Sequence, residues 1–414
     1  MLAASVLVRA RPGSSALVPP VKLAHLADIH LGFRQYHRQT PQGINQREAD
    51  VAQAFRRAVD DVIAARPDLI LVAGDLFHSV RPINAAILDS FNQFRRLREG
   101  LPEAPIVLIG GNHDTPRSVE TGTILKLFEA LPGVVAVPQE PRYLRFERLD
   151  LSVFCVPYAA TVSGRPRLVP SGDAGRNVLV LHGRLAGLLP GDEWWYDHAA
   201  PPIEPGELNP DRWDYVALGH YHVAHRVRDN AWYAGAVEYV SPNPWGELRD
   251  EEGEGRRGQK GWLLVELAGR VRVEFRPVAL ARRVIDLDPI EGAGLDVERL
   301  DALLCERVTA VPGGIDEQVV RQLVWNVPRY VARDLDHARV REYKARALHY
   351  HLDIRRPPPR REVGVGAPGP RRSLMDLVED ALSRRPLDAH LDRQRLVALA
   401  RSYLERAERE APEA

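Results

Sequence analysis

The stretch Val21-Lys22-Leu23-Ala24-His25-Leu26-Ala27-Asp28-Ile29-His30-Leu31-Gly32 begins as a β-strand and ends as a chemical motif. Lys22 to Ala27 is a short apolar run of strand length, and the spacing of two between Asp28 and His30 lets both side chains leave an extended segment on one side. The same grammar recurs four times. Leu69 to Ala73 leads into Gly74-Asp75, Ile106 to Ile109 into Gly111-Asn112-His113-Asp114, Val178 to Leu181 into His182-Gly183, and Tyr215 to Leu218 into Gly219-His220-Tyr221-His222. Each polar group falls at or just past the carboxyl end of a predicted strand, where α/β sheets place their sites. Glycines at 74, 110, 111, 183 and 219 permit the tight turns this requires.

Asp28, His30, Asp75, Asn112, His182, His220 and His222 are therefore candidate metal ligands. Imidazole, carboxylate and amide donors without thiolate suit manganese, iron or zinc in a reactive site, manganese first, rather than a structural zinc cluster. Two divalent ions bring about +4 against −2 from the two carboxylates, so the site attracts phosphate. Such a pair, about 3.5–4 Å apart, can activate a hydroxide nucleophile and clamp the oxygens of an in-line phosphoryl displacement. Hydrolysis of a phosphate ester is the expected chemistry.

In this order, Asp-x-His, Gly-Asp, Gly-Asn-His-Asp, His and Gly-His-x-His resemble the calcineurin-like metallophosphoesterase superfamily. The resemblance implies a layered α/β fold, a β-sandwich flanked by helices. It implies that Asp28, His30, Asp75 and His222 hold a first metal and Asp75, Asn112, His182 and His220 a second, with Asp75 bridging. His113 is then no ligand but the proton donor to the leaving group, with Asp114 orienting its ring. More narrowly, His25 to Gly32, Ala73-Gly74-Asp75-Leu76-Phe77-His78 and Gly111 to Asp114 resemble the SbcD-type DNA repair exonucleases, across residues 22 to 355.

That narrower likeness implies manganese-dependent 3′ to 5′ exonuclease activity on duplex DNA and endonuclease activity on single strands, in double-strand-break repair. It implies a capping domain, a homodimer, and a C-terminal helical segment that binds the coiled coil of an SbcC-like ATPase. His78 matches an active-site histidine that helps fix the phosphate or backbone, a polar loop residue being the alternative. His37 and Arg38, beside Tyr36, match a DNA-contacting loop by position, an exposed polar loop being the alternative. Two departures stand out: Gly110, where relatives often carry a bulkier residue, and the run Asp250 to Arg257, expected as an extra loop. The rival readings are a phosphodiesterase or phosphatase for small nucleotides and a non-catalytic scaffold that binds DNA or the ATPase.

The 414 residues suggest two or three domains. A nuclease domain is expected over 21–280 and an α+β capping domain over 281–355, the latter with a helix from Val297 to Val308, a strand from Gln318 to Trp325 and a helix from His337 to Tyr350. A Pro- and Arg-rich linker follows over 356–372, then a helical hairpin over 373–411 with Ser373 as its cap. Residues 1–20 read as a disordered extension, with Val21 the true start on a GTG codon, which intact-mass measurement tests. Helices are expected at Ala52 to Ala65 and Ile83 to Leu97. Trp194, Trp195 and Tyr196 could stack on bases or anchor a loop, and His25 reads as a packed strand histidine.

Fifty-six basic residues balance fifty-six acidic ones, so attraction to nucleic acid cannot come from net charge. Only four of the basic residues are lysine. Cys155 and Cys305 stand far apart, which indicates neither a disulfide framework nor a zinc motif and fits a reducing cytoplasm. The sequence holds no long apolar run of membrane-span type.

Overall fold

The computed structural model describes residues 19–116, 122–188, 201–357, 374–384 and 392–410. Most of the expected N-terminal extension, the linker from residue 358, Ser373 and the Trp194-Trp195-Tyr196 triplet lie outside them. The described residues fall into one unit that runs to Arg356 and another beyond it.

Two six-stranded sheets form the larger part of the first unit. One has the order β12-β11-β1-β2-β3-β4 and the other β5-β6-β7-β8-β10-β9. The strands are β1 (Val21–Leu26), β2 (Leu69–Val72), β3 (Ile106–Ile109), β4 (Val134–Val137), β5 (Arg142–Phe146), β6 (Leu151–Val156), β7 (Arg176–His182), β8 (Tyr215–Gly219), β9 (His225–Arg228), β10 (Ala231–Tyr233), β11 (Gly261–Leu267) and β12 (Arg272–Pro277). Within the first sheet β1 to β4 run parallel, and within the second β6 to β8 do. Parallel central strands covered on both faces carry apolar side chains at every position. Along β1, Leu23 faces the core between the sheets while Ala24 and Leu26 face the helices.

Those helices are α1 (Gln46–Ala65) and α2 (Asn84–Gly100), whose Val51, Phe55, Val59, Phe94 and Leu97 pack on the outer face of the first sheet. The short α3 (Tyr158–Val162) and α4 (Pro205–Leu208) contribute Ala160 and Leu208 to the outer face of the second. The fold is thus the four-layered sandwich expected. The run Asp250 to Arg257, expected as an extra loop, is loop only from Glu254 onward. Asp250 to Gly253 form the last turn of α5 (Pro244–Gly253), which Asn243 caps by accepting from the Gly246 amide at 3.3 Å. Its polar run is helical because Glu247 and Glu251 are buried against Lys260 rather than solvated.

The residues expected to form the cap, called the cap below, fold as a three-stranded parallel sheet of β13 (Val284–Glu291), β14 (Val319–Trp325) and β15 (His349–Ile354). Helices α6 (Val297–Thr309), α7 (Arg329–Arg333) and α8 (His337–Arg346) make its crossovers. The helix expected to reach Tyr350 ends at Arg346, and His349 to Ile354 pair with β14 instead. Arg282 pins the cap to the sandwich, donating to Asp50 of α1 at 3.0 Å and to Glu317 of the cap at 3.0 Å. Cap and sandwich accordingly belong to one compact unit.

Beyond the linker, α9 (Leu374–Arg384) and α10 (Arg393–Glu410) form the second unit, joined by Arg401 donating to Glu379 at 2.9 Å. Both cysteines are free. No helix among the described residues is long and apolar enough to cross a membrane.

Candidate metal centre

The two sheets bring the carboxyl ends of β1, β2 and β3 against those of β7 and β8, and all five ligand motifs meet on that rim. Backbone bonds continue the β1–β2 pairing past the strands: the Asp28 amide donates to Gly74 O at 3.0 Å, His30 to Asp75 O at 3.0 Å and Leu31 to Leu76 O at 2.9 Å. The ligands are held in unusual backbone. Asp28 and His30 have φ near 51°, Asp75 52° and His220 110°. Non-glycine residues avoid this left-handed region, and its concentration at one site marks a place where geometry is imposed by the surroundings. Two glycines are required by close approach. A Cβ at Gly111 would collide with Asp75 Oδ1, and one at Gly110 with Pro138 O, which accounts for the small residue at 110.

Asp75 lies at the centre. Its Oδ2 is 3.5 Å from His30 Nε2 and also 3.5 Å from His182 Nε2, while Oδ1 accepts the His113 amide at 2.8 Å. On one side of it, His30 Nε2 is 3.2 Å from His222 Nε2, and Asp28 joins them within ligand distance. On the other, Asn112 Oδ1 is 3.0 Å from both His182 Nε2 and His220 Nδ1. Ligand atoms about 2.1 Å from one cation sit about 3.0 Å apart at right angles and about 3.4 Å apart at tetrahedral angles. The observed separations suit donors converging on cations, so the residues fit a two-metal group, which Asp75 would share.

The protonation states fit as well. His182 Nδ1 donates to Ala73 O at 2.8 Å, which leaves Nε2 with its lone pair toward the site. Burial, followed by neighbouring histidines, holds His30 and His182 well below the usual imidazole range, so both are neutral as ligands must be. Burial pushes the Asp28 carboxyl up to about 6, against the pull of His222, and an adjacent cation would keep it ionised.

His113 and His78 form a pair of stacked rings, centroids 5.0 Å apart, and His113 stands edge-on to His30 at 4.7 Å. Sequence reasoning gave Asp114 the task of orienting His113. The structure gives it another. The Asp114 carboxylate accepts the amides of Leu76 and Phe77 at 3.1 Å and of Gly111 at 3.2 Å, locking the β2 turn to the β3 turn. The acceptor for His113 Nδ1 is the backbone carbonyl of His78 at 2.8 Å. A carboxylate so close to three orphan amides satisfies them first, because turn amides have no strand partner.

His37 is exposed, whereas Arg38 donates to Glu317 and, at 2.6 Å, to Ala345 O of the cap. Tyr36 stacks on His349 of the cap at 4.0 Å. His25 is buried, with Nδ1 2.9 Å from the Tyr215 hydroxyl.

Sequence reasoning missed Glu247, Glu251, Lys260 and Tyr239. Lys260 Nζ contacts Glu247, reaches Glu251 at 2.9 Å and donates to the carbonyl of ligand His222 at 3.0 Å. Burial raises the Glu247 carboxyl, but Lys260 and His222 outweigh it and hold it at about 2. The available signal was the lysine itself, a compact ammonium and one of only four lysines in a chain that mostly uses arginine.

Acid should destabilise the metal-free protein. Burial lowers His25 to about 3, and burial, followed by neighbouring basic side chains, lowers His78 and His349 to about 4, against 6.5 for free imidazole. Below pH 6.5 the unfolded chain takes up protons that these folded histidines refuse, so stability is lost from there downward. Asp28 and Asp114, both raised to about 6 chiefly by burial, work the other way but are fewer. Urea midpoints of metal-free protein should therefore drop between pH 7 and pH 5. An equal or higher midpoint at pH 5 would show that the carboxylates prevail.

Residues 21–229 match the sequence model of the calcineurin-like phosphoesterase family. The chain is also similar to proteins named DNA double-strand break repair protein Mre11. That of Methanopyrus kandleri is 29% identical over 308 residues, 70% of this chain and 62% of that one. That of Haloferax volcanii is 31% identical over 284 residues, 66% and 56% respectively, and that of Saccharolobus solfataricus 29% over 254, 60% and 61%. The chain thus spans about three fifths of the length of these relatives. With its ligand motifs assembled on one rim and half of its length matched, the chain belongs to the calcineurin-like phosphoesterase family and is a homologue of the Mre11 repair proteins.

Proposed function

We propose that the protein is a two-metal DNA nuclease subunit of double-strand-break repair, with 3′ to 5′ exonuclease activity on duplex ends and endonuclease activity on single strands. The observation that carries the reading is Asp75 Oδ2, equidistant at 3.5 Å from His30 and His182, with donors converging on either side. Asp28, His30, Asp75 and His222 would hold one ion and Asp75, Asn112, His182 and His220 the other. Manganese suits the O and N donors best. Bound there, the pair supplies charge neutralisation and an activated water for in-line attack on phosphorus.

The protein's own groups do the rest. His113 gives a proton from Nε2 to the departing sugar oxygen, its ring fixed by the Nδ1 bond to His78 O. His78 stacks behind it and borders the phosphate. DNA as substrate is supported by the Mre11 relatives and by a cap built against the loop of Tyr36, His37 and Arg38. The hairpin of α9 and α10 would dock an SbcC-like coiled-coil ATPase, and the nuclease would work as a homodimer in the cytoplasm.

The test is manganese-dependent digestion of end-labelled duplex DNA beside bis-p-nitrophenyl phosphate. Mononucleotide release from 3′ ends is expected. Hydrolysis of the small ester with DNA left intact, with and without the ATPase, would point to a small-nucleotide phosphodiesterase. No hydrolysis of either would leave a scaffold.

A further inference from the structure

Helix α5 presents two side chains to two different parts of the molecule. Trp245 and Glu247 are two positions apart, a rotation of roughly 200° about a helix axis, so they leave on opposite sides. Trp245 is seated in the cap. Its Nε1 donates to Ile285 O at 3.2 Å, and its ring packs with Val319 and Leu348, stacks on His351 at 5.7 Å and lies under the Arg321 guanidinium at 5.2 Å.

Glu247 faces the metal centre. Its Oε1 lies 3.6 Å from His222 Nδ1 and accepts the Ser241 amide at 3.1 Å, while Oε2 contacts Lys260, whose ammonium also holds the His222 carbonyl at 3.0 Å. A carboxylate on Nδ1 fixes the tautomer of a ligating histidine and leaves Nε2 for the cation. Here Nε2 is the nitrogen that faces His30 at 3.2 Å. His222 therefore has the Glu247 carboxylate of α5 3.6 Å from its ring, while the lysine bound to α5 holds its backbone carbonyl at 3.0 Å. Asn243 and Pro244 start the helix at a fixed point, so its first turn, which carries both side chains, is stiff.

From this arrangement we infer that α5 couples the cap to the metal centre: the seating of Trp245 sets Glu247, and Glu247 positions His222. Occupancy at the His222 side of the centre then responds to how the cap sits. Glu247 is a positioning residue, and the inference rests on the reading of His222 as a ligand.

The full-length, metal-free protein is titrated with Mn2+ by calorimetry, and the exchange-coupled Mn2+ pair is followed by electron paramagnetic resonance. Wild type should bind two ions. Glu247→Gln should weaken one of them by roughly 10–100-fold, the usual range for an outer-shell partner, and leave the other unchanged. Trp245→Ala, which touches no ligand, should weaken the same ion by about 10-fold and replace the pair signal with a single-ion signal. In the double variant the two losses should not multiply, because both act along one route. Trp325→Ala, at the exposed far end of β14, should change neither ion.

Circular dichroism of the metal-free variants establishes that each is folded. Trp245→Ala folded with both affinities within about twofold of wild type, or a double variant whose losses multiply, overturns the coupling. If Trp245→Ala does not fold, Trp245→Phe carries the same test, since it loses the bond to Ile285 and keeps an apolar ring. Wild type that binds no Mn2+ removes the ligand reading and the inference with it.

Discussion

Asp75→Asn should lose tight binding of both ions and reduce hydrolysis by at least about 10²–10⁴-fold, the equivalent of the 3–5 kcal/mol that follows from breaking a buried charge pair. The amide is nearly isosteric, so the loss comes from its orientation. Asp75 Oδ1 accepts the His113 amide at 2.8 Å, and only the oxygen of an asparagine can take that place. The NH2 group is then forced to where Oδ2 now faces His30 and His182, both at 3.5 Å. A donor without a lone pair would occupy the shared ligand position. Calorimetry with Mn2+ and a nuclease assay on the same preparation check this together. Two ions bound with wild-type affinity would remove Asp75 from the bridging position.

His113→Asn should keep both ions and lose roughly 10²–10⁴-fold in DNA hydrolysis, the range typical of a missing general acid. The ring stands edge-on to His30 and its Nδ1 is committed to His78 O, so removing it should leave the donors around Asp75 in place. The loss should depend on the leaving group. A DNA 3′-oxygen departs as a strongly basic alkoxide and needs the proton, whereas p-nitrophenolate departs without one. The deficit on bis-p-nitrophenyl phosphate should therefore be far smaller than on DNA. Equal deficits on both substrates would assign His113 to placing the phosphate rather than to proton transfer.

The strands that carry ligands were readable because they are short apolar runs stopped by Gly, Asp, Asn or His, and β1, β2, β3, β7 and β8 lie where those runs fall. What was not readable follows from buried charge. Helix α1 begins at Gln46 rather than near Ala52, because Arg47 and Asp50 are buried in its first turns. There Arg47 meets Asp50 at 2.9 Å, Glu238 at 3.0 Å and Tyr239 O at 2.8 Å. Glu238 and Tyr239, so distant in sequence, leave no periodic trace. The same reason hid α5, whose glutamates find Lys260 on the far side of a turn. Asp114 was misread for a related reason: its neighbour in sequence is His113, but the amides it satisfies belong mostly to another strand's turn. Residue types at motif spacing located the centre, whereas the contacts that orient it are made by the tertiary fold.

The candidate ligands are divided between the sheets. Asp28, His30, Asp75 and Asn112 leave the first, and His182, His220 and His222 leave the second. Neither half carries enough donors for the pair, so secondary structure alone is chemically silent. A nascent or partly unfolded chain with either sheet formed by itself should therefore be inert toward phosphodiesters. The candidate hydrolytic centre is thus a property of the tertiary assembly, present only when both sheets have met.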